Sequence, residues 1–414
     1  MSILRAFKAI RPKPELVDKV AALPYDVMTS NEAREMVKDN PYSFLHVDKA
    51  EIDLDPSINT YDTIVYEKAR DTLKKMIEDG IFIQDNQENL YIYKQVMNSR
   101  SQIGLVGCTS IDDYMNNIIK KHEFTRADKE QDRINHVDYC NANTGPIFLT
   151  YRAKSEINEI IDDWISNHVP VYDFISDDNI GHTIWIINDL EKVVELETTF
   201  TEVKNLYIAD GHHRAASAVK VGMKRREQFK DYTGNEEFNF FLAVLFPDEQ
   251  LHIMDYNRVV KDLNGNTAEQ FIDKIKESFT VTPYQGSGQF KPEEKHTFGM
   301  YLEDSWYKLE AKNSTYNDND PLSRLDVSIL QNKILSPILG IEDPRTDTRI
   351  DFVGGIRGLQ ELERRVSDGM KVAFSMYPTT IDDLMSIADI GEVMPPKSTW
   401  FEPKLRSGLF VHKL

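Results

Sequence analysis

The stretch NLYIADGHHRAASAVKV, residues 205–221, decides how the rest of the chain is read. Leu206 to Ala209 is a short apolar run suited to a buried strand. Asp210-Gly211 breaks that run as a turn. From Arg214 onward, Ala215, Ala216, Ala218 and Val219 form one small-residue helix face. The local expectation is therefore strand, tight turn and helix, with an aspartate, two histidines and an arginine in the turn.

That arrangement has a physical use. The first N–H groups of a helix lack intrahelical partners, and the helix dipole is positive there, so phosphate binds well. Gly211 lets the backbone approach a ligand closely, and Arg214 adds a fork-shaped donor that matches phosphate oxygens. Asp210 is placed to hold Mg²⁺ or to accept a hydroxyl proton. A histidine pair alone would only cap a helix. Asp, Gly, His, His and Arg in succession at a strand-to-helix junction favour a site. A turn tolerates a neutral amide, so Asp210→Asn is expected to leave stability nearly unchanged.

Working outward, 414 residues suffice for a large core and about two domains. Hydrophobic content of 41% and charged content of 28% are those of a globular protein. A net charge of −19 opposes non-specific binding to nucleic acid and to anionic membranes, while leaving room for one local basic pocket. Cys108 and Cys140 form neither a disulfide framework nor a zinc spacing. FNFFLAVLF, residues 238–246, is the most apolar segment and far too short to span a membrane. A cytoplasmic protein is expected, and the oligomeric state stays open, a homo-oligomer included.

Strands are expected at residues 3–10, 43–47, 90–96, 103–111, 147–151, 182–187 and 238–246. Helices are expected from Thr29 (with Glu32 completing a capping box), within 59–79, from Thr125 to about 139, at 155–167, from Leu190 to about 198, at 322–335 and at 356–368. Hairpins and crossovers mix, so the class is α+β with mixed sheets. The cut falls near Pro247, giving domains 1–247 and 248–414. His122 and Glu123 precede the helix in which Lys129, Asp132, Arg133 and His136 share a face. The tail carries Lys397, Lys404 and Arg406, an excess of positive charge fit to close over an anion. The Gly354-Gly355 pair lacks a dinucleotide fingerprint, and no Walker lysine motif is present.

DGHHRAASA, residues 210–218, resembles the turn-helix signature of the ParB/sulfiredoxin-like superfamily, in which a Gly-x-(His or Arg)-Arg turn cradles nucleotide phosphate. RPKPELVDKVAALPYDV (11–27), KHEFTRADKEQDRINH (121–136) and MPPKSTWFEPKLRSGL (394–409) carry the pattern of the DUF1015 family, related to the free-serine kinases of that superfamily. The resemblance implies a ParB/sulfiredoxin-like nucleotide-binding core followed by a second α+β part. It implies a phosphotransferase that moves phosphate from ADP or ATP to free L-serine, with Mg²⁺. In the related kinases a glutamate upstream of the phosphate turn acts as base, and by chain order Glu123 takes that place. Asp210, His212 and His213 join it as catalytic candidates, with Asp210 the metal ligand. Gly211, His213, Arg214, Lys397 and Arg406 are the nucleotide-binding candidates. The same site run against a phosphomonoester would be a phosphoserine phosphatase. A nucleotide-binding regulatory or DNA-associated protein is the alternative from another class, opposed by the charge and by the lack of a helix-turn-helix. Sulfiredoxin chemistry needs a cysteine where His212 stands.

Overall fold

The computed structural model describes residues 1–414. They form two compact units: one of residues 1–251 with 403–414, the other of residues 252–402. The division falls four residues beyond Pro247, and the last twelve residues belong with the first unit rather than the second. Both units carry helices and sheets, and the fold is α+β.

The first unit is built on an eight-stranded mixed sheet. Its strands are β1 (Leu90–Met97), β2 (Arg100–Ser110), β3 (Ile119–Lys120), β4 (Ile147–Tyr151), β5 (Tyr172–Ile175), β6 (Gly181–Ile187), β7 (Leu206–Asp210) and β8 (Phe240–Pro247). They lie in the order β3-β7-β4-β8-β2-β1-β6-β5. The pairs β3–β7 and β4–β8 are parallel and the others antiparallel. Every residue of β8 is buried, which is why that stretch reads as an unbroken apolar run rather than an alternation. The helices are α1 (Thr63–Glu78), α2 (Ala127–Cys140), α3 (Ser155–Asn167), α4 (Leu190–Phe200) and α5 (His212–Gln228). Ile157, Ile161, Leu196 and Phe200 from α3 and α4 enter one core with Ile147, Leu149, Leu206 and Ile208 of the central strands. Cys108 is fully buried among apolar groups, as a core residue.

The second unit holds a six-stranded antiparallel sheet of β9 (Tyr256–Val260), β10 (Phe279–Pro283), β11 (Thr297–Leu302), β12 (Ser305–Ala311), β13 (Ile350–Gly354) and β14 (Val372–Met376). The strand order is β10-β12-β11-β14-β9-β13.

Several elements differ from what the sequence suggests. Residues 43–47 are not a strand: Ser43 Oγ accepts from the Leu45 amide at 3.3 Å, and the chain turns into a short helix, Leu45–Asp48. Residues 3–10 are not a continuous strand but make isolated bridges, Arg5 to Cys108 and Phe7 to Asn89. Thr125 does not cap α2. Its hydroxyl donates to Glu130 at 2.6 Å, and Arg126 stands at the cap position. Residues 322–335 are helical only from Asp326, and the second half widens into a π turn. The Thr29–Glu32 capping box is present at the start of the helix Ser30–Val37.

Candidate functional site

Strand β7 delivers Asp210 to the sheet edge of a sharp turn, and α5 begins immediately after it. Gly211 sits between them at φ +92, a left-handed conformation that disfavours residues with a Cβ. A Cβ there would also meet the Arg214 guanidinium at 3.2–3.3 Å. Because the glycine takes the whole bend, His212 and His213 lie in the first helical turn rather than in a loop before it. The first helical bond runs from the Ala215 amide to Gly211 O at 2.9 Å, so the amides of His212, His213 and Arg214 have no acceptor within the helix. Ala215, Ala216 and Ala218 are buried and seat the helix on the sheet.

Arg214 is the centre of a narrow cavity that Tyr25, Asp48, Arg133, His136, Asn143, Thr144 and Gly145 complete. Its Nη1 donates to Pro146 O at 2.5 Å, while its Nε is buried without a partner. Burial works against the Arg214 charge, but Asp26 and Asp210 outweigh it and keep the guanidinium protonated. Arg133 faces the same cavity from α2. Its guanidinium is held by Asp132 at 2.9 Å and lies 4.0 Å over the Tyr25 ring. Thr144 Oγ1 donates to Asp48 at 2.9 Å and sits 3.0 Å from His136 Nε2. Two buried guanidiniums thus border one cavity at a helix N-terminus, a set of donors suited to a phosphate.

Asp210 is engaged on its other side. Lys404 Nζ lies 3.0 Å from Asp210 Oδ2, and the Gly211 amide donates to Oδ1 at 2.8 Å. Burial alone would raise the Asp210 carboxyl. The charges of Lys404 and Arg214 reverse that and hold it well below the usual carboxylate range. His213 Nε2 accepts from the Arg126 amide at 3.0 Å, and burial lowers its pKa. His212 is buried, and its ring meets that of His122 edge-on with centroids 4.5 Å apart. Burial pushes His122 down to about 4 and His212 well below its ordinary value. Glu123 is exposed, with Oε2 3.7 Å from His212 Nδ1.

The turn therefore gathers Gly211, Arg214, Asp210, His212, His213 and Glu123 into one neighbourhood, with His122. One expected residue is not gathered there. Arg406 is buried against β5 and β6, where it donates to Asp178 and Ser176. Lys397 belongs to the second unit, at φ +59, with Nζ 5.7 Å from the Tyr256 ring. The lysine that reaches the turn from the tail is Lys404. Arg133, Tyr25, Asp48 and Thr144 also complete the site, and sequence reasoning assigned them no role. The one available signal was Arg133 among the charged residues of α2, which look like a solvated face. In fact Glu130, Asp132, Arg133 and His136 are all buried.

No helix of the chain is long and apolar enough to cross a membrane. No curated protein matches the chain. Among solved structures, a free serine kinase mutant in complex with ADP is similar over 72% of this chain and 87% of its own, at 14% identity and a TM-score of 0.35. A conserved hypothetical protein from Pyrococcus furiosus is similar over 73% of this chain and 93% of its own, at 14% identity and a TM-score of 0.33. SbnI with C-terminal truncation from Staphylococcus aureus is similar over 72% and 82%, at 11% identity and a TM-score of 0.37. The family described as "Protein of unknown function (DUF1015)" matches residues 4–328, and the chain belongs to that family.

Proposed function

We propose that the protein is a small-molecule phosphotransferase that carries phosphate from ADP or ATP to the hydroxyl of free L-serine, giving O-phosphoserine. The observation that carries this reading is the cavity bordered by Arg133 and Arg214, with Arg214 Nε buried and unpartnered, at the N-terminus of the 17-residue helix α5. A buried donor without a partner is costly, and a phosphate oxygen satisfies it. The choice of serine rests on the resemblance of DGHHRAASA to the serine-kinase turn.

In this reading the transferred phosphate lies against the amides of His212 to Arg214, between the two guanidiniums. The serine oxygen attacks phosphorus, a new P–O bond forms, and the bond to the nucleotide oxygen breaks, releasing AMP or ADP. The transition state is loose, so most of the catalytic effect lies in positioning and in charge. Arg133, Arg214 and Lys404 oppose the charge that gathers on the phosphoryl and leaving oxygens. Asp210 orients the acceptor hydroxyl beside Lys404, and Asp210 or Glu123 takes its proton as the P–O bond forms. Mg²⁺ takes oxygen ligands in an octahedral shell. Asp210 carries a lysine ammonium at 3.0 Å, and its neighbours offer imidazoles, so these residues do not fit Mg²⁺ as a resident ion.

The test is incubation of the intact chain with L-serine and either nucleotide, following O-phosphoserine and the released nucleotide by mass. Equal yields of the two products are expected. Release of inorganic phosphate from O-phosphoserine without nucleotide would instead establish a phosphatase. Tight DNA binding at physiological salt with no transfer would establish the regulatory alternative.

A further inference from the structure

Beside the phosphate turn, three side chains point their donor atoms at one another. His122, Glu123 and His212 each place a ligand atom within 4.8 Å of the others, and His212 Nδ1 is 3.7 Å from Glu123 Oε2. His122 and Glu123 come from the loop between β3 and α2, and His212 from the first turn of α5. The cluster thus joins a segment before the central helix pair to the turn that follows β7.

A second observation points to a ligand. His122 is 2% exposed, and its ring nitrogens make no well-formed hydrogen bond, with the Ile208 backbone beside them. His212 is 5% exposed and its Nε2 has none either. Buried polar atoms are nearly always satisfied, and each one left bare costs about 1–3 kcal/mol. Two such imidazoles side by side, with a carboxylate at the open edge, are an unfavourable arrangement unless something binds them. A proton shared between the rings does not serve, because the rings meet edge-on at 4.5 Å rather than nitrogen to nitrogen in plane.

We propose that His122, Glu123 and His212 bind a divalent transition-metal ion of the Zn²⁺ or Co²⁺ class, with at least one coordination position left open toward solvent. Two imidazoles and one carboxylate are a donor set for such ions, and three protein ligands with an open position are typical of sites that also bind a small ligand. Metal–ligand bonds of about 2.0–2.2 Å require the three donor atoms to draw together by about an ångström. The exposed Glu123 side chain has room to supply much of that movement. The inference uses neither Arg133 nor Arg214, so it stands or falls apart from the phosphate reading.

The experiment strips the intact protein with a chelator and titrates it with Co²⁺, reading visible d–d absorption, and with Zn²⁺ by calorimetry. One equivalent is expected, with a four- or five-coordinate cobalt spectrum, unaffected by millimolar Mg²⁺. Glu123→Gln keeps the size of a side chain that is about half exposed, and it is expected to weaken binding about tenfold or more, with the melting temperature as control. His212→Asn is expected to abolish the cobalt spectrum. The proposal is overturned if the stripped protein takes up no cobalt. It is equally overturned if uptake is unchanged in Glu123→Gln and in His122→Asn, which would place the ion elsewhere.

Discussion

At the scale of single residues, Asp210 and Lys404 illustrate how the structure changes an expectation. Read as a turn residue, Asp210 should tolerate an amide without loss of stability. Its carboxylate is instead the partner of a lysine that is only 12% exposed, at 3.0 Å. Removing the negative charge takes from that partly buried ammonium the carboxylate it faces at 3.0 Å. Asp210→Asn is therefore expected to destabilise the chain by about 2 kcal/mol. Adding Lys404→Met should restore most of that loss, because both charges are then gone. Turnover should stay down by a factor on the order of 10² in single and double variants alike, if Asp210 takes the hydroxyl proton. Urea unfolding beside the serine assay checks this. Equal turnover of Lys404→Met and the double variant would show that Asp210 acts only through Lys404 and the fold.

At the scale of elements, the junction of β7 and α5 was legible because its signals are local. An apolar run, a glycine and a row of alanines each fix their own few residues, and the strand and helix appear within two residues of where they were expected. The partners of that junction were not legible. Asp48 sits at the end of a short helix that reads as a strand, since Phe44, Leu45 and Val47 are apolar and all buried whichever element they form. Arg133 reads as solvated because it shares one charged face with Lys129, Asp132 and His136, yet Asp132 and Tyr25 accompany it into the interior. Burial of a charge depends on partners distant in sequence, which spacing along one helix does not show. The second unit holds a comparable case. Asp326, at the start of a short helix, accepts from the His296 amide at 2.9 Å, and its Oδ2 has no partner. Burial pushes its carboxyl up to about 7, with Asp383 adding to the effect against Lys295. The folded chain thus keeps this proton to about pH 7, while the unfolded chain releases it near 4. Stability from this group is complete below about pH 4 and is lost as pH rises to about 7. Between those limits the wild type should lose on the order of 4 kcal/mol relative to Asp326→Asn. Identical slopes of unfolding free energy against pH in the two proteins would contradict the assignment.

At the scale of the whole molecule, a chain of net charge −19 concentrates Arg133, Arg214 and Lys404 around one turn. The last twelve residues make this possible. They rejoin the first unit, with Ser407 bonded to Ala22 and Val411 to Ile10 through the backbone, and so bring Lys404 to Asp210. Asp26, Asp48, Asp132 and Asp210 balance those cations at the turn, and the acidic surround opposes a polyanion such as nucleic acid. The central claim is that this turn holds nucleotide phosphate through its two guanidiniums, and calorimetry of ADP binding to the intact chain tests it most directly. Wild type should bind one ADP. Arg214→Lys keeps the charge but loses the planar fork and its bond to Pro146 O, and should weaken binding by about tenfold or more in a chain that still folds. Equal affinity in wild type and Arg214→Lys, or no ADP binding by the folded wild type, would contradict the account.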